Sequence, residues 1–137
     1  MKRTPLINKE VSSLVASLGH LDEIVIADAG LPAPANVPVI DLALTYGVPR
    51  FAEIIRTLRS ELIIEQAIWA DEASPELSGL IDLELSIWRE QQQDKGITEK
   101  RISHEHFKTR TSKARAIIRS GEATPYANII LVSGVAF

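Results

Sequence analysis

Two acid–base side chains flank one short hydrophobic run near the amino terminus of the chain. His20 precedes the run 24–26, and Asp28 follows it at the start of the turn-forming segment 28–32. Imidazole is the side chain whose charge changes most easily near neutral pH, and a carboxylate can orient it or accept a ligand hydroxyl. The pair therefore predicts proton-transfer chemistry, with His20 as the proton donor and Asp28 as its partner or as a ligand-binding group.

Both residues also have purely structural interpretations. A histidine that follows a helix-ending glycine, as His20 follows Gly19, often interacts with the last carbonyl groups of the helix. An aspartate after a strand, as Asp28 is here, is often a turn former. Spacing alone favours these structural roles, so the chemical interpretation needs support from the rest of the chain.

A phenol and an amide occur late in the chain, just before the apolar run 129–132. Tyr126 and Asn128 alternate there, so in an extended conformation their side chains point to one side. Together they can donate and accept hydrogen bonds, which suits the hydroxyl groups of a small polar ligand. The alternative is a turn followed by a strand, with Tyr126 half-buried and Asn128 in a capping role.

Two more imidazoles lie in the segment His104-Glu105-His106. On a strand they would face the same way and could hold a metal, with His20 as the third ligand. The chain has no cysteine to complete such a site. We expect instead that His104 forms hydrogen bonds, that His106 lies on a helix surface, and that no metal is bound. Phosphate-binding glycine loops and the Gly-x-Ser-x-Gly elbow are also missing from the sequence, so we expect no cofactor.

Composition excludes several classes of function. The chain has 137 residues, which predicts one domain. Its 15 Lys and Arg against 18 Asp and Glu give a net charge of −3, so it lacks the positive charge typical of proteins that bind nucleic acid. No apolar run reaches the length of a signal peptide or a membrane span, so no membrane association is expected. The lack of cysteine excludes disulfides and fits a cytoplasmic location.

Hydrophobic periodicity predicts alternating helices and strands. Asn8 is a good N-cap for a first helix that Gly19 ends, and Ser74-Pro75 indicates the start of a later one that fades through 91–96. Further helices are predicted over 51–62 and through Phe107, and strands over 23–27, 39–44, 64–70, 99–103, 114–119 and 128–132. This order predicts an α/β single-domain layered fold with a largely parallel central sheet flanked by helices. Ligands of such sheets bind beyond the carboxyl ends of the strands, where Asp28, Asp71 and Glu72 fall.

Several separate motifs match one known family in order and spacing. They are the segments 19–20, 24–32, 103–105, 116–122, 124–128 and 134–137. Together they resemble the ribose/fucose mutarotase family, and the likeness runs from the first helix to the last residue.

The resemblance implies a function and an assembly. Members of the family are cytoplasmic enzymes that interconvert ring forms of a sugar without a metal or organic cofactor. They form ring-shaped homo-oligomers, typically decamers of two stacked pentamers, with active sites between neighbouring subunits. The family's catalytic histidine falls on His20, its sugar-binding aspartate on Asp28, its second histidine on His104, and its tyrosine and asparagine on Tyr126 and Asn128.

Two segments favour ribose over fucose within this resemblance. Fucose mutarotases usually have His-Phe between Asp-Ala and Pro, where this chain has Gly30-Leu31. They also usually have glycine between Tyr and Asn, where this chain has Ala127. We therefore expect conversion between pyranose and furanose ribose, which would supply ribose for phosphorylation. The segment 71–76 and His106 depart from the family pattern and could alter the rim of the pocket.

Two alternatives stay open on the sequence. A fucose mutarotase would carry much the same side chains. A non-enzymatic sugar-binding or transport-associated module would use the hydroxyl-binding residues but would not need a titratable histidine. A metal-dependent isomerase is a more distant third, which activity in the presence of a strong chelator would exclude.

Overall fold

The computed structural model describes residues 1–93 and 95–137. Within this part of the chain it contains four α-helices, one short 3-10 helix and one six-stranded sheet. In chain order the elements are α1 (Lys9–Ser17), β1 (Glu23–Ala27), β2 (Val39–Asp41), α2 (Phe51–Leu58), β3 (Ile64–Ala70), α3 (Pro75–Gln91), β4 (Thr98–Ile102), α4 (His104–Arg110), the 3-10 helix (Thr111–Lys113), β5 (Ala116–Arg119) and β6 (Ile129–Ser133).

The strand order of the sheet is β2-β5-β1-β6-β3-β4. Strands β2, β5 and β1 pair in parallel, as do β3 and β4, while β6 runs antiparallel to β1 and β3. The predicted α/β fold with a largely parallel central sheet is therefore confirmed. The carboxyl ends of β1 to β5 and the start of β6 meet at one end of the sheet, called here the carboxyl end, and the other end is called the amino end.

The sheet lies between two helical layers, and β1 shows how. Ile24 and Ile26 belong to the core cluster on the face covered by α2 and α3, whereas Val25 and Ala27 belong to the cluster on the face that holds Phe107 of α4. Successive side chains of a strand point to opposite faces, so a strand covered on both faces must be apolar throughout. Because both faces of β1 are buried, the strand is held in place, and the residues before and after it lie at opposite ends of the sheet.

The predicted helix starts are confirmed by their caps. The Asn8 side chain accepts a hydrogen bond from the backbone N–H of Val11 at 2.9 Å, and the Ser74 hydroxyl accepts one from Leu77 at 3.1 Å. Each bond satisfies an N–H group that has no partner within its own helix. Within the described residues, no helix has the length and apolar character needed to cross a membrane.

The second strand and the second helix end earlier in the structure than the sequence predicts. The second strand was expected to reach Leu44 but ends at Asp41, because the Asp41 side chain accepts a hydrogen bond from the N–H of Ala43 and turns the chain. The second helix ends at Leu58, although Leu62 remains buried in the core as its apolar spacing predicts.

The glutamine-rich end of α3 is more ordered than a fading helix would be. Gln92 is 4% exposed and its amide hydrogen-bonds to the backbone of Ile64 and Lys95. The expectation of a frayed end is therefore wrong at Gln92, since fraying would expose this side chain. Asp94, which the predicted helix end also includes, lies outside the described residues.

Candidate active site

Asp28 and Asn128 form a reciprocal hydrogen-bonded pair at the carboxyl end of the sheet. The backbone N–H of Asp28 donates to Asn128 Oδ1 at 2.7 Å, and Asn128 Nδ2 donates to Asp28 Oδ2 at 3.0 Å. The two residues meet because β1 ends where its antiparallel neighbour β6 begins. Asn128 is 1% exposed, whereas Asp28 is half-buried, so the amide is positioned to fix the carboxylate rather than to face solvent.

The Asp28 carboxylate keeps acceptor capacity for a ligand. Its Oδ1 accepts from the N–H of Gly30 at 2.9 Å and its Oδ2 from Asn128, in the described part of the chain. Each carboxylate oxygen offers about two acceptor positions, so one on each oxygen is left. This arrangement can hold a ligand hydroxyl without first having to reorganise.

Tyr126 occupies a turn rather than an extended strand. The N–H of Ala127 donates to the carbonyl of Thr124 at 3.3 Å, and Tyr126 has a φ of 64°. In a type II turn the second residue is often proline, here Pro125, and the third residue, here Tyr126, has a positive φ. Glycine or asparagine is usual at that third position. The extended conformation in which Tyr126 and Asn128 would point to one side is therefore not adopted, because β6 begins only at Ile129. The predicted alternative, a turn followed by a strand, describes the backbone.

His104 contacts Tyr126 at the same end of the sheet. Their ring centroids are 5.0 Å apart with an interplanar angle of 78°, and His104 also stacks at 6.4 Å on the buried Phe107. His104 is the first residue of α4, where the Ser103 hydroxyl caps the helix and Glu72 Oε2 accepts from the N–H of His104 at 2.6 Å. These contacts hold the imidazole against the phenol ring.

His104 and His106 do not lie on one face of a strand, the arrangement in which they could bind a metal together. Both residues lie in α4, so His106 projects differently from His104 and is exposed, as predicted for a helix-surface residue. Across residues 1–93 and 95–137, no three His, Asp or Glu side chains are grouped closely enough to hold a metal ion.

An open pocket of about 320 Å³ lies beside Asp28. Its lining adds residues that the sequence analysis did not select, above all Tyr46, Arg119 and Glu122. Arg119 ends β5 and donates to the carbonyl of Ala29 at 3.0 Å and to Asp41 Oδ2 at 2.9 Å. A charged residue at the end of a buried parallel strand is the signal that could have found Arg119, since such strands end at the ligand-binding side of the sheet.

Glu122 supplies a second anionic group to this pocket. Burial by itself would raise the pKa of its carboxyl group. Hydrogen bonds from the Thr124 hydroxyl and from the backbone N–H groups of Thr124, Phe51 and Ala123 outweigh that effect and hold the pKa below its ordinary value. Glu122 is therefore ionised at neutral pH and can only accept hydrogen bonds from a ligand.

His20 lies at the amino end of the sheet, away from the other four predicted site residues. It sits in the turn before β1, where the N–H of Leu21 donates to the carbonyl of Ser133 at the end of β6. Strand β1 separates it from Asp28, and five residues of strand span roughly 15 Å. Within one chain, His20 and Asp28 therefore do not pair.

The carboxylate partner of His20 is Glu65, which the sequence analysis did not select. His20 Nε2 lies 2.9 Å from Glu65 Oε2, at the start of β3. The alternative role of His20 as a helix cap is not what the structure shows, since Leu18 caps α1 and the recorded partner of the ring is Glu65. The structure thus brings Asp28, His104, Tyr126 and Asn128 to one end of the sheet and places a histidine–glutamate pair at the other.

A model of the RbsD / FucU transport protein family matches residues 1–136 of the chain. The chain belongs to this family. It is 51% identical over 140 residues to the D-ribose pyranase of Vibrio vulnificus, with 100% of both proteins covered. The structure of Bacillus subtilis RbsD complexed with D-ribose matches it with a TM-score of 0.87 and 40% identity, again over 100% of both chains.

A more distant member of the family is also similar in structure. The fucose mutarotase of Streptococcus pneumoniae, solved in complex with L-fucose, matches with a TM-score of 0.77 and 27% identity. The match covers 98% of this chain and 99% of that one. The sequence-based assignment to the ribose/fucose family is therefore confirmed.

Proposed function

We propose that this protein, over its whole length 1–137 as one sugar mutarotase domain, interconverts the pyranose and furanose ring forms of D-ribose by general acid–base catalysis. Full-length relatives at about half identity are D-ribose pyranases. The observation in the structure that best supports the proposal is the Asp28 carboxylate fixed by buried Asn128, with acceptor positions left for hydroxyl groups. We place the protein in the cytoplasm, where its product would be available for phosphorylation.

The reaction needs one proton to be moved between two oxygens of the sugar. In ring opening, an imidazole accepts the proton of the anomeric hydroxyl as the bond from the anomeric carbon to the ring oxygen breaks. The ring oxygen then receives a proton, which gives the open-chain aldehyde and one new hydroxyl group. Closure through a different hydroxyl reverses these steps and yields the other ring size. Acid–base assistance of this kind is worth roughly 10²–10⁴-fold in rate.

Each predicted residue has a role that its position supports. His20 gives and takes the protons, and Asp28 binds a sugar hydroxyl. Tyr126 and His104 bind further hydroxyl groups and restrict the open-chain intermediate, which limits its orientational freedom. Asn128 acts through Asp28, because both ends of its amide are bonded to that residue.

The site on this proposal is shared between two copies of the chain. His20 and Asp28 lie at opposite ends of β1, so one sugar can meet both only if the amino end of one copy faces the carboxyl end of the next. Such a head-to-tail contact uses two different surfaces, and repeated contacts of this kind form a ring when the rotation between neighbouring copies closes. A homodecamer of two stacked pentamers, as the family resemblance implies, is one such arrangement.

Removal of the imidazole tests the function directly. We expect His20→Ala to abolish the enzyme-dependent ring exchange of D-ribose, measured by saturation-transfer NMR, while His106→Ala keeps it. His106 is the matched control because it is an exposed histidine to which the proposed mechanism gives no role. Exchange in His20→Ala as fast as in the control would rule out the acid–base role of His20.

A fucose mutarotase is the second candidate function. The observation in its favour is the structural match to a fucose mutarotase over nearly the whole chain. Parallel exchange measurements on D-ribose and L-fucose separate the two candidates. We expect the larger acceleration on ribose.

A sugar-binding module without catalysis is the remaining alternative. It is favoured by the description of the matched family as a transport protein family. Calorimetry combined with the exchange assay distinguishes an enzyme from such a module. Binding of ribose with no acceleration of ring exchange would favour the module.

A further inference from the structure

Among residues 1–93 and 95–137, the side chain that His20 contacts by a hydrogen bond is Glu65. His20 Nε2 lies 2.9 Å from Glu65 Oε2, and the two side chains are 51% and 41% exposed. An ion pair this exposed contributes little to stability, since water screens it and ordering two side chains costs entropy. Its consequence is geometric, because a carboxylate that accepts from one ring nitrogen fixes the orientation of the ring and the position of its proton.

Glu65 reaches His20 from an irregular position in β3. The register between β3 and β6 shifts between Ile64 and Gln66, which leaves Glu65 as an additional residue on β3. Such a β-bulge bends the strand and re-aims the side chain that it carries. Glu65 is therefore directed by the bulge rather than by the regular alternation of the strand.

Hydrogen bonds hold the backbone beside the bulge from both sides. The buried Gln92 amide accepts from the N–H of Ile64 at 3.2 Å and donates to the carbonyl of Ile64 at 2.9 Å. On the other strand, the N–H of Gly134 donates to the carbonyl of Ile63 at 2.9 Å. Ile63 and Ile64 are thus both fixed. Ile64 is held by Gln92, which directly follows α3 at the amino end of the sheet.

We propose that Glu65 is a positioning residue for His20, which accepts the Nε2 proton of the imidazole and leaves Nδ1 as the nitrogen that exchanges protons with the sugar. The proposal rests on the proposed function, because it assigns a task to the partner of the acid–base group. Gln92 maintains the strand geometry on which this contact depends.

The position of the proton can be observed without any catalysis. The chain has three histidines, so ¹⁵N-histidine labelling with His20→Ala as the reference assigns the His20 signals. In the unmodified protein at alkaline pH we expect the ¹⁵N shifts of a neutral ring protonated at Nε2. In Glu65→Gln we expect a mixture of both tautomers, since an amide can offer either its oxygen or its NH₂ group.

The kinetic readout separates positioning from binding. We expect Glu65→Gln to lower kcat by at least about tenfold, yet by less than the roughly 10²–10⁴-fold assigned to the imidazole itself, with KM nearly unchanged. Glu99→Gln is the matched control, because Glu99 is also a partly exposed strand carboxylate that pairs with a cationic side chain, Arg89. The melting temperatures of the two variants should agree.

Two results would overturn the proposal. One is a His20 ring protonated at Nδ1 in the unmodified protein. The other is a Glu65→Gln variant whose tautomer and kcat match those of Glu99→Gln. If the unmodified protein failed to accelerate ring exchange, the proposed function would fail, whereas the NMR result would still decide whether Glu65 orients His20.

Discussion

A single buried amide determines how the Asp28 carboxylate is presented. Asn128 accepts from the backbone N–H of Asp28 and donates to its side chain, so the same residue fixes both the end of β1 and the carboxylate that follows it. An acceptor fixed before a ligand arrives loses less conformational freedom when the ligand binds. On the proposed function, the contribution of Asn128 to sugar binding is therefore indirect, and it is coupled to stability.

Removal of this amide tests that coupling at the level of one residue. Asn128→Ala leaves the N–H of Asp28 without its partner in a partly buried site, so we expect the free energy of unfolding to fall by about 1–3 kcal/mol. We also expect a higher KM for D-ribose, because Asp28 is no longer fixed. Urea denaturation and ring-exchange kinetics measure the two effects.

Asn36→Ala is the matched control for this variant. Asn36 is exposed and makes one hydrogen bond of 3.4 Å to the carbonyl of Ser112, so its removal should change neither quantity appreciably. An Asn128→Ala protein as stable and as active as the control would contradict the role given to the amide.

At the level of elements, the loop between β2 and α2 is fixed to the start of the β5–β6 connection. The N–H of Gly47 donates to the carbonyl of Gly121 at 2.6 Å, and the N–H of Gly121 donates to the carbonyl of Pro49 at 2.8 Å. This contact places Tyr46, which is 83% exposed, in the wall of the pocket beside Asp28. The close approach of the two backbones is possible because residue 121 has no side chain.

We expect Gly121→Ala to separate the loop from the pocket. An added Cβ would lie 2.4 Å from the carbonyl oxygen of Thr45 and 2.6 Å from that of Val48, distances that force the backbone to move. We expect a loss of about 1–3 kcal/mol in the free energy of unfolding and a raised KM for D-ribose. Denaturation and exchange kinetics again provide the measurements.

Gly79→Ala serves as the control for the glycine substitution. Gly79 lies on the exposed face of α3 with open space where a Cβ would lie, so alanine there should stabilise the helix by roughly 0.5–1 kcal/mol. Equal stability changes in the two variants would show that the contact at Gly121 is unimportant.

Local signals in the sequence predicted the elements, while long-range pairing decided the details of the site. Asn8 and Ser74 cap helices through bonds to residues three positions away, so the sequence reveals them directly. The bulge at Glu65 depends on β6, and the burial of Gln92 depends on β3, which are distant along the chain. The sequence offers no local signal for either, and the partner of His20 was missed for that reason.

At the scale of the whole molecule, the direction of β1 separates two residues that are close in sequence. His20 and Asp28 are near neighbours along the chain, but the buried strand between them carries them to opposite ends of the sheet. The sequence predicted both residues and the strand between them, which already places them at opposite ends of that strand, and the expectation that Asp28 partners His20 within one chain was the part that failed. A site that uses both must therefore be assembled from two chains, with His20 of one and Asp28 of the other.

Mixed assemblies of two inactive variants provide the decisive measurement. His20→Ala retains an intact Asp28, and Asp28→Asn retains an intact His20, so a contact between the two variants can restore one complete site. When both are co-expressed with different tags and purified through both, we expect about a quarter of the unmodified rate of ribose ring exchange, because random head-to-tail assembly makes one site in four complete. Expressed alone with both tags, His20→Ala should show no exchange above the uncatalysed rate, and Asp28→Asn should show exchange well below a quarter of the unmodified rate, because it has lost the carboxylate that binds the sugar. A doubly tagged mixture as inactive as its parents would mean that His20 and Asp28 do not act on one sugar across a contact between copies.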